Sequence, residues 1–262
     1  MQPRARKVSL STGELTYFVA GEGRPILYLH PAGGVRWTRV LEGLARSFAL
    51  HVPVMPGFDG TSAHGTVKSM RGLAALVGEF IEKVIAGPCD VFGCSFGGYL
   101  ATWLAAERPN LVDHLVLECP AGFRPKGKGE RPADAEALRK LLFLHPEKLP
   151  PESKPVEQEV ANRKMLPHYG TALDTDEELL VRLPSIDKLT LILHGTADRM
   201  IPKESVQLLK SRLPHSYLVY VWDAAHAIEV DQPERMLSVL TSFLERSEGF
   251  MVNWGSLAIH SG

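Results

Sequence analysis

The chain has 262 residues, 45% hydrophobic and 23% charged, an ordinary globular balance with enough length to bury a large core. Its formal net charge of -1 gives no global attraction to nucleic acid or to an anionic membrane, and no apolar run approaches the roughly 20 residues that span a bilayer. The basic start MQPRARKVSL lacks the apolar stretch of a signal peptide, so a cytoplasmic protein is the expectation; Cys89, Cys94 and Cys119, an odd number without CxxC spacing, read as reduced core thiols.

Two strands are expected first, Arg6 to Leu10 and Glu14 to Ala20, joined by a Ser-Thr-Gly turn of the kind that links antiparallel neighbours. The short continuous apolar run Ile26 to Leu29 then reads as a strand buried on both faces, ending in the loop His30-Pro31-Ala32-Gly33-Gly34. A helix around Arg39 to Ala45 and a strand around Phe48 to Val54 lead into the turn-rich Met55-Pro56-Gly57-Phe58-Asp59-Gly60. Leu73, Leu76, Val77, Phe80, Ile81 and Val84 repeat at helical spacing, which predicts a helix from about Ser69 to Ile85, stopped by Pro88. Asp90 to Gly93 is a strand, Tyr99 to Ala106 a helix, and Leu111 to Leu117 a strand. This alternation argues for an α/β fold with a mostly parallel twisted sheet and helices on both faces.

From 121 to 184 the rhythm breaks into prolines, a Lys126-Gly127-Lys128-Gly129 segment and helical pieces near Ala133 to Leu144 and Val156 to Leu166, which reads as an insertion. The alternation then resumes with a strand at Leu189 to Leu193, a helix near Lys203 to Leu213, a strand at Tyr217 to Val221, and a last helix from Pro233 to about Arg246. Asp231 or Gln232 at its start, Pro233 in the first turn and Glu234 nearby form an N-terminal signature. The expected division is a core of 1–120 and 185–248, the insertion 121–184, and a tail 249–262 that follows no interpretable pattern.

Gly93-Cys94-Ser95-Phe96-Gly97 matches GxSxG, and it stands between a predicted strand and a predicted helix. On such a turn the nucleophile's backbone is strained, and glycines are needed where a Cβ would collide with strand and helix. Further motifs agree in order: the loop His30 to Gly34, the turn Pro56-Gly57-Phe58, His194-Gly195-Thr196-Ala197-Asp198, and Ala225-His226-Ala227 after the last strand. On these residues the chain resembles the α/β-hydrolase superfamily from about Glu14 to Arg246, outside the insertion. The order Ser95, Asp198, His226 is that family's order, each residue directly after a predicted strand, on the rim where loops at the carboxyl ends of parallel strands meet.

The resemblance implies Ser95 as nucleophile, His226 as general base and Asp198 as the acid that orients it, with the backbone N–H groups of Phe96 and Ala32 as the oxyanion hole. Pro31 stands where the family has glycine, so that position cannot donate and the loop is stiffer. The insertion is expected to cover the rim as a lid, with Leu142, Met165 and His30 offered as substrate contacts. Glu118, after the sixth strand, is the leading substitute acid; Asp223, Glu229 and Asp231 lie too close to His226 on one loop. A metal site from His194, Asp198 and His226 has no compact zinc spacing, so neither metal nor cofactor is expected. The favoured function is hydrolysis of carboxylic esters with small or medium apolar acyl groups through an acyl-enzyme, by a monomer or homodimer without nucleic-acid or membrane partners. The rivals are carbon–carbon bond hydrolysis of the meta-cleavage type and slow-turnover ligand binding on the same fold.

Overall fold

A computed structural model of the chain describes residues 2–150, 154–171 and 174–250. Eight strands, β1 (Arg4–Leu10), β2 (Gly13–Ala20), β3 (Arg24–Leu29), β4 (Phe48–Pro53), β5 (Cys89–Cys94), β6 (Val112–Glu118), β7 (Leu189–Gly195) and β8 (Ser216–Val221), form one sheet in the order β1-β2-β4-β3-β5-β6-β7-β8. Only β2 runs against its neighbours; every pair from β4 to β8 is parallel. The central strand β5 is buried along its whole length, as expected of a strand covered on both faces.

The helices are α1 (Arg39–Leu44), α2 (Met70–Phe80), α3 (Phe96–Glu107), α4 (Ala135–Leu142), α5 (Val156–Arg163), α6 (Glu177–Arg182), α7 (Lys203–Arg212), α8 (Ile228–Asp231) and α9 (Pro233–Arg246). Their starts follow the sequence: the Ser69 hydroxyl accepts from Gly72 N at 3.0 Å and the Asp134 carboxylate from Ala137 N at 2.8 Å, each satisfying an otherwise orphaned donor. The apolar repeat of α2 continues as a wider turn over Ile81–Ile85, which left-handed Ala86 (φ 62°) ends before Pro88. Of the two residues expected at the start of the last helix, Gln232 takes the cap position, its side chain donating to Asp223 rather than capping, while Asp231 is spent elsewhere.

Between β6 and β7 the insertion does not pack as one unit. Tyr169, Leu179, Leu183 and Ile186 join the main core, and Asp176, at the start of α6, accepts from the Trp103 indole N–H at 3.1 Å and from the Tyr99 hydroxyl. In contrast, Leu138, Leu142 and Phe143 of the α4 region form a separate small cluster with Ala227 and Val230, on either side of α8's first residues. Part of the tail, 251–262, lies outside the described residues. Among the described residues no helix is long and apolar enough to cross a membrane.

Candidate active site

The turn from β5 into α3 carries Ser95 at φ 54° and ψ -110°, a conformation that few non-glycine residues adopt. Its neighbours explain how it is held. A Cβ on Gly97 would run into the carbonyl oxygens of Leu29 and His30, and one on Gly93 into the backbone of Gly97 and Gly98. Strand, turn and helix are therefore in backbone contact, and Ser95 N is fixed by donation to Glu118 O at 2.8 Å.

Ser95, Asp198 and His226, 103 and then 28 positions apart in sequence, are brought together. His226 Nε2 lies 2.9 Å from Ser95 Oγ, and His226 Nδ1 lies 2.9 Å from Asp198 Oδ2. With the imidazole neutral, this assigns the proton to Nδ1, which donates to the carboxylate, and leaves Nε2 to accept from the hydroxyl. Asp198 Oδ1 also accepts from Met200 N at 2.9 Å and Ile201 N at 3.0 Å. Burial alone would raise the Asp198 carboxyl, but the His226 charge, its hydrogen bond and the Ile201 N–H outweigh it and hold the carboxyl below its ordinary range.

The substitute acids are occupied otherwise. Glu118 is fully buried behind Ser95 and accepts from Glu229 N at 3.1 Å, while Glu229 accepts from the Tyr28 hydroxyl at 3.0 Å. Burial above all, then the neighbouring Glu229 carboxylate, pushes the Glu118 carboxyl well above the usual carboxylate range. Asp223 meets His145 Nε2 at 2.9 Å. Asp231 accepts from Leu144 N, His145 N and Ala225 N, and so ties the end of α4 to the residue before His226. On the other side of the imidazole, Ala227 N donates to Leu142 O at 2.9 Å.

The loop after β3 is organised by His30. Its Nε2 accepts from Met55 N at 3.1 Å and its Nδ1 donates to Pro31 O at 2.8 Å, with its ring edge-on to Phe58. The side chain has no exposure and both nitrogens are used, so the expectation of a substrate contact at His30 is corrected: it braces the loop. Burial lowers it to about 4, leaving it neutral at physiological pH. Gly34 N bonds back to Pro31 O at 2.9 Å, while the N–H groups of Ala32 and Phe96 have no hydrogen-bond partner among the described residues.

In front of Ser95 and His226 is a cleft of about 10 Å³, room for roughly one water, bounded by Pro31, Gly33, Arg36, Leu142, Arg163 and Ala227. Leu142 is thus at the site. Met165 instead lies over Gly57, where an added Cβ would clash with its sulfur and methyl, and it does not border this cleft.

Sequence reasoning missed several neighbours. Arg36 is buried against Glu159 of α5 in an ion pair, with its guanidinium carbon 5.1 Å from the centre of the Phe143 ring. Asn162 donates to Gly33 O at 2.7 Å and to Asp59 Oδ1 at 2.8 Å, and Lys154 pairs with Asp59. These join residues from distant segments, so no local motif announces them. Cys119, read as a core thiol, has Sγ within 4.8 Å of the Asp198 carboxylate and the His226 ring. Burial, then Asp198, pushes the thiol well up, so it stays protonated beside that carboxylate. His194 Nε2 donates to Ile201 O at 2.9 Å, and the side-chain atoms that converge on Asp198 and His226 are those of Cys119.

Comparison with known proteins agrees with this architecture. The model of the Alpha/beta hydrolase family matches residues 26–239. Pimeloyl-[acyl-carrier protein] methyl ester esterase of Aeromonas hydrophila subsp. hydrophila is 26% identical over 251 residues, covering 86% of this chain and 96% of that one. The protein of the same name from Vibrio vulnificus is 26% identical over 254 residues, covering 88% and 98%. Among solved structures, a bacterial membrane phospholipase A superposes with TM-score 0.78 at 23% identity over 93% of this chain and 86% of that one. A meta-cleavage product hydrolase from Pseudomonas fluorescens IP01 superposes with TM-score 0.75 at 19% identity, covering 92% and 97%. From the family match across most of its length and the shared sheet, this chain belongs to the alpha/beta hydrolase family.

Proposed function

We propose that the chain is a serine hydrolase that cleaves carboxylic esters of small or medium apolar acyl groups through an acyl-enzyme. The observation that carries this reading is the relay of two 2.9 Å contacts from Asp198 through His226 to Ser95, on a serine whose backbone is forced out of the common regions. Ser95 Oγ attacks the ester carbonyl carbon as its proton passes to His226 Nε2; Asp198 stabilises the imidazolium. The oxyanion takes hydrogen bonds from the free N–H groups of Phe96 and Ala32, each worth roughly 100- to 1000-fold in rate. His226 then protonates the departing alcohol, and water activated by the same imidazole releases the acid. The methyl ester esterase named for the relatives supports an ester as the bond cleaved.

A cleft of about 10 Å³ cannot hold an acyl group, so α4 and α5 act as a lid that shifts before substrate enters. The test combines a fluorophosphonate probe with p-nitrophenyl esters. Wild-type chain is expected to be labelled and to turn over butyrate ester, and Ser95→Ala to lose both, on the order of a million-fold in kcat. Folded protein that resists the probe would mean a ligand-binding scaffold. Turnover of a dienoic ring-cleavage product with esters left intact would mean carbon–carbon hydrolysis.

A further inference from the structure

A second hollow, of about 620 Å³, lies beyond the loop that follows β3. Its walls are mostly carbon, from Phe18 of β2, Val35, Trp37 and Val54, with Thr16 beside them. The volume is within the roughly 300–1,000 Å³ that holds a small organic ligand. Arg36 borders both this hollow and the cleft of Ser95. It is held by Glu159, and Lys154, paired with Asp59, borders both the hollow and a third space of about 300 Å³ beside Leu138, Leu142 and Phe143.

We propose that the 620 Å³ hollow receives the acyl chain of the ester, a medium-length apolar chain that leaves the reacting carbonyl past Arg36. This rests on the esterase reading above. The direction comes from the relay itself: the alcohol that departs from the acyl carbon must lie next to His226 Nε2 to be protonated, so the part of the substrate that stays on that carbon points away from the imidazole. The cleft is bounded by Leu142, Ala227 and Glu229 from α4 and the segment after His226, and by Pro31, Gly33 and Arg36 from the loop after β3; of these, Arg36 also borders the hollow. No residue of the His226 loop borders it. Phe18, Val35, Trp37 and Val54 offer a hydrocarbon chain apolar surface there, with Glu42, Asp59 and Lys154 among the polar residues at its border.

Thr16→Trp fills the hollow and Phe18→Ala enlarges it, so the two variants make opposite demands. Decanoate binding, followed by calorimetry, is expected to weaken by about tenfold or more in Thr16→Trp. Equal affinity in wild type and variant, or no binding to the wild type, overturns the proposal whether or not any ester is cleaved. With p-nitrophenyl esters, the decanoate-to-acetate ratio of kcat/KM is expected to fall by about tenfold or more in Thr16→Trp, through KM. In Phe18→Ala the preference is expected to move toward longer chains, and a chain-length profile unchanged in that variant overturns the proposal even if Thr16→Trp does not fold. Should no ester turn over while decanoate binding still responds to the variants, the esterase reading fails and the hollow's ligand class stands.

Discussion

The two walls of the site are built by different physics. Behind Ser95, the turn is fixed by backbone against backbone: Gly93 and Gly97 sit where any side chain would strike a neighbouring main chain. In front, α4 and α5 are fastened by polar side chains, Arg36 to Glu159, Lys154 to Asp59, Asn162 to Gly33 O, and by a small apolar cluster with the His226 loop. Steric contact of that kind has no alternative arrangement nearby. Ion pairs and a handful of apolar contacts can be exchanged for water or substrate at modest cost, so one wall is suited to hold a nucleophile and the other to move.

That contrast can be broken from either side. Next to the loss expected of Ser95→Ala, the largest effect is that of Asp198→Asn, which keeps the fold but leaves the imidazole in the wrong tautomer, lowering kcat by about 10,000-fold in steady-state ester assays. Gly97→Ala has no space to enter without displacing β3, and denaturant melts should show a loss of at least about 3 kcal/mol, the upper end of ordinary overpacking. On the opposite wall, Arg36→Met or Glu159→Leu alone each strands a buried charge and should cost about 3–5 kcal/mol, while the double replacement restores most of it. A double replacement as damaged as the singles would mean that this wall is as rigid as the other.

The smallest effect is in pH dependence. His30 is neutral in the folded chain down to about 4, whereas in the unfolded chain it takes a proton near pH 6.5. Between those values the unfolded state binds more protons, so stability is complete above about pH 6.5 and declines as pH falls toward 4, by up to about 3 kcal/mol from this residue. His30→Asn should flatten that limb of the stability profile, measured by melts across pH 4 to 7.

The same divide decides what the residues reveal in one dimension. Every strand of the parallel region shows as a short apolar run, and the strained turn announces itself because glycine spacing and steric need coincide within six residues, Gly93 to Gly98. Asp198 and His226 are legible because each follows a parallel strand on one rim, Asp198 after the buried β7 and His226 after the half-buried edge strand β8. The front wall is not legible in this way. Arg36 finds Glu159 across 123 positions, and Asp59 finds Asn162 across 103, with nothing in either segment to mark the pairing. Helix α6 escapes periodicity because it is only six residues long, and its start is recognisable mainly by Asp176 accepting from Leu179 N. His30 is a motif residue for which the sequence offers two jobs, organising its loop or touching substrate, since its place in the motif says nothing about which way an imidazole faces.

Asp231 links the two walls. Its buried carboxylate takes the N–H groups of Leu144, His145 and Ala225, and its own carbonyl accepts from Lys148 Nζ at 2.6 Å, while Leu142 O holds the N–H on the far side of His226. The C-terminal end of α4 is therefore pinned like an axle to the backbone carrying the imidazole. Under the proposed lid movement these helices swing about that pin, each swing tugging the main chain on both sides of His226, which would gear substrate entry to the alignment of the proposed base.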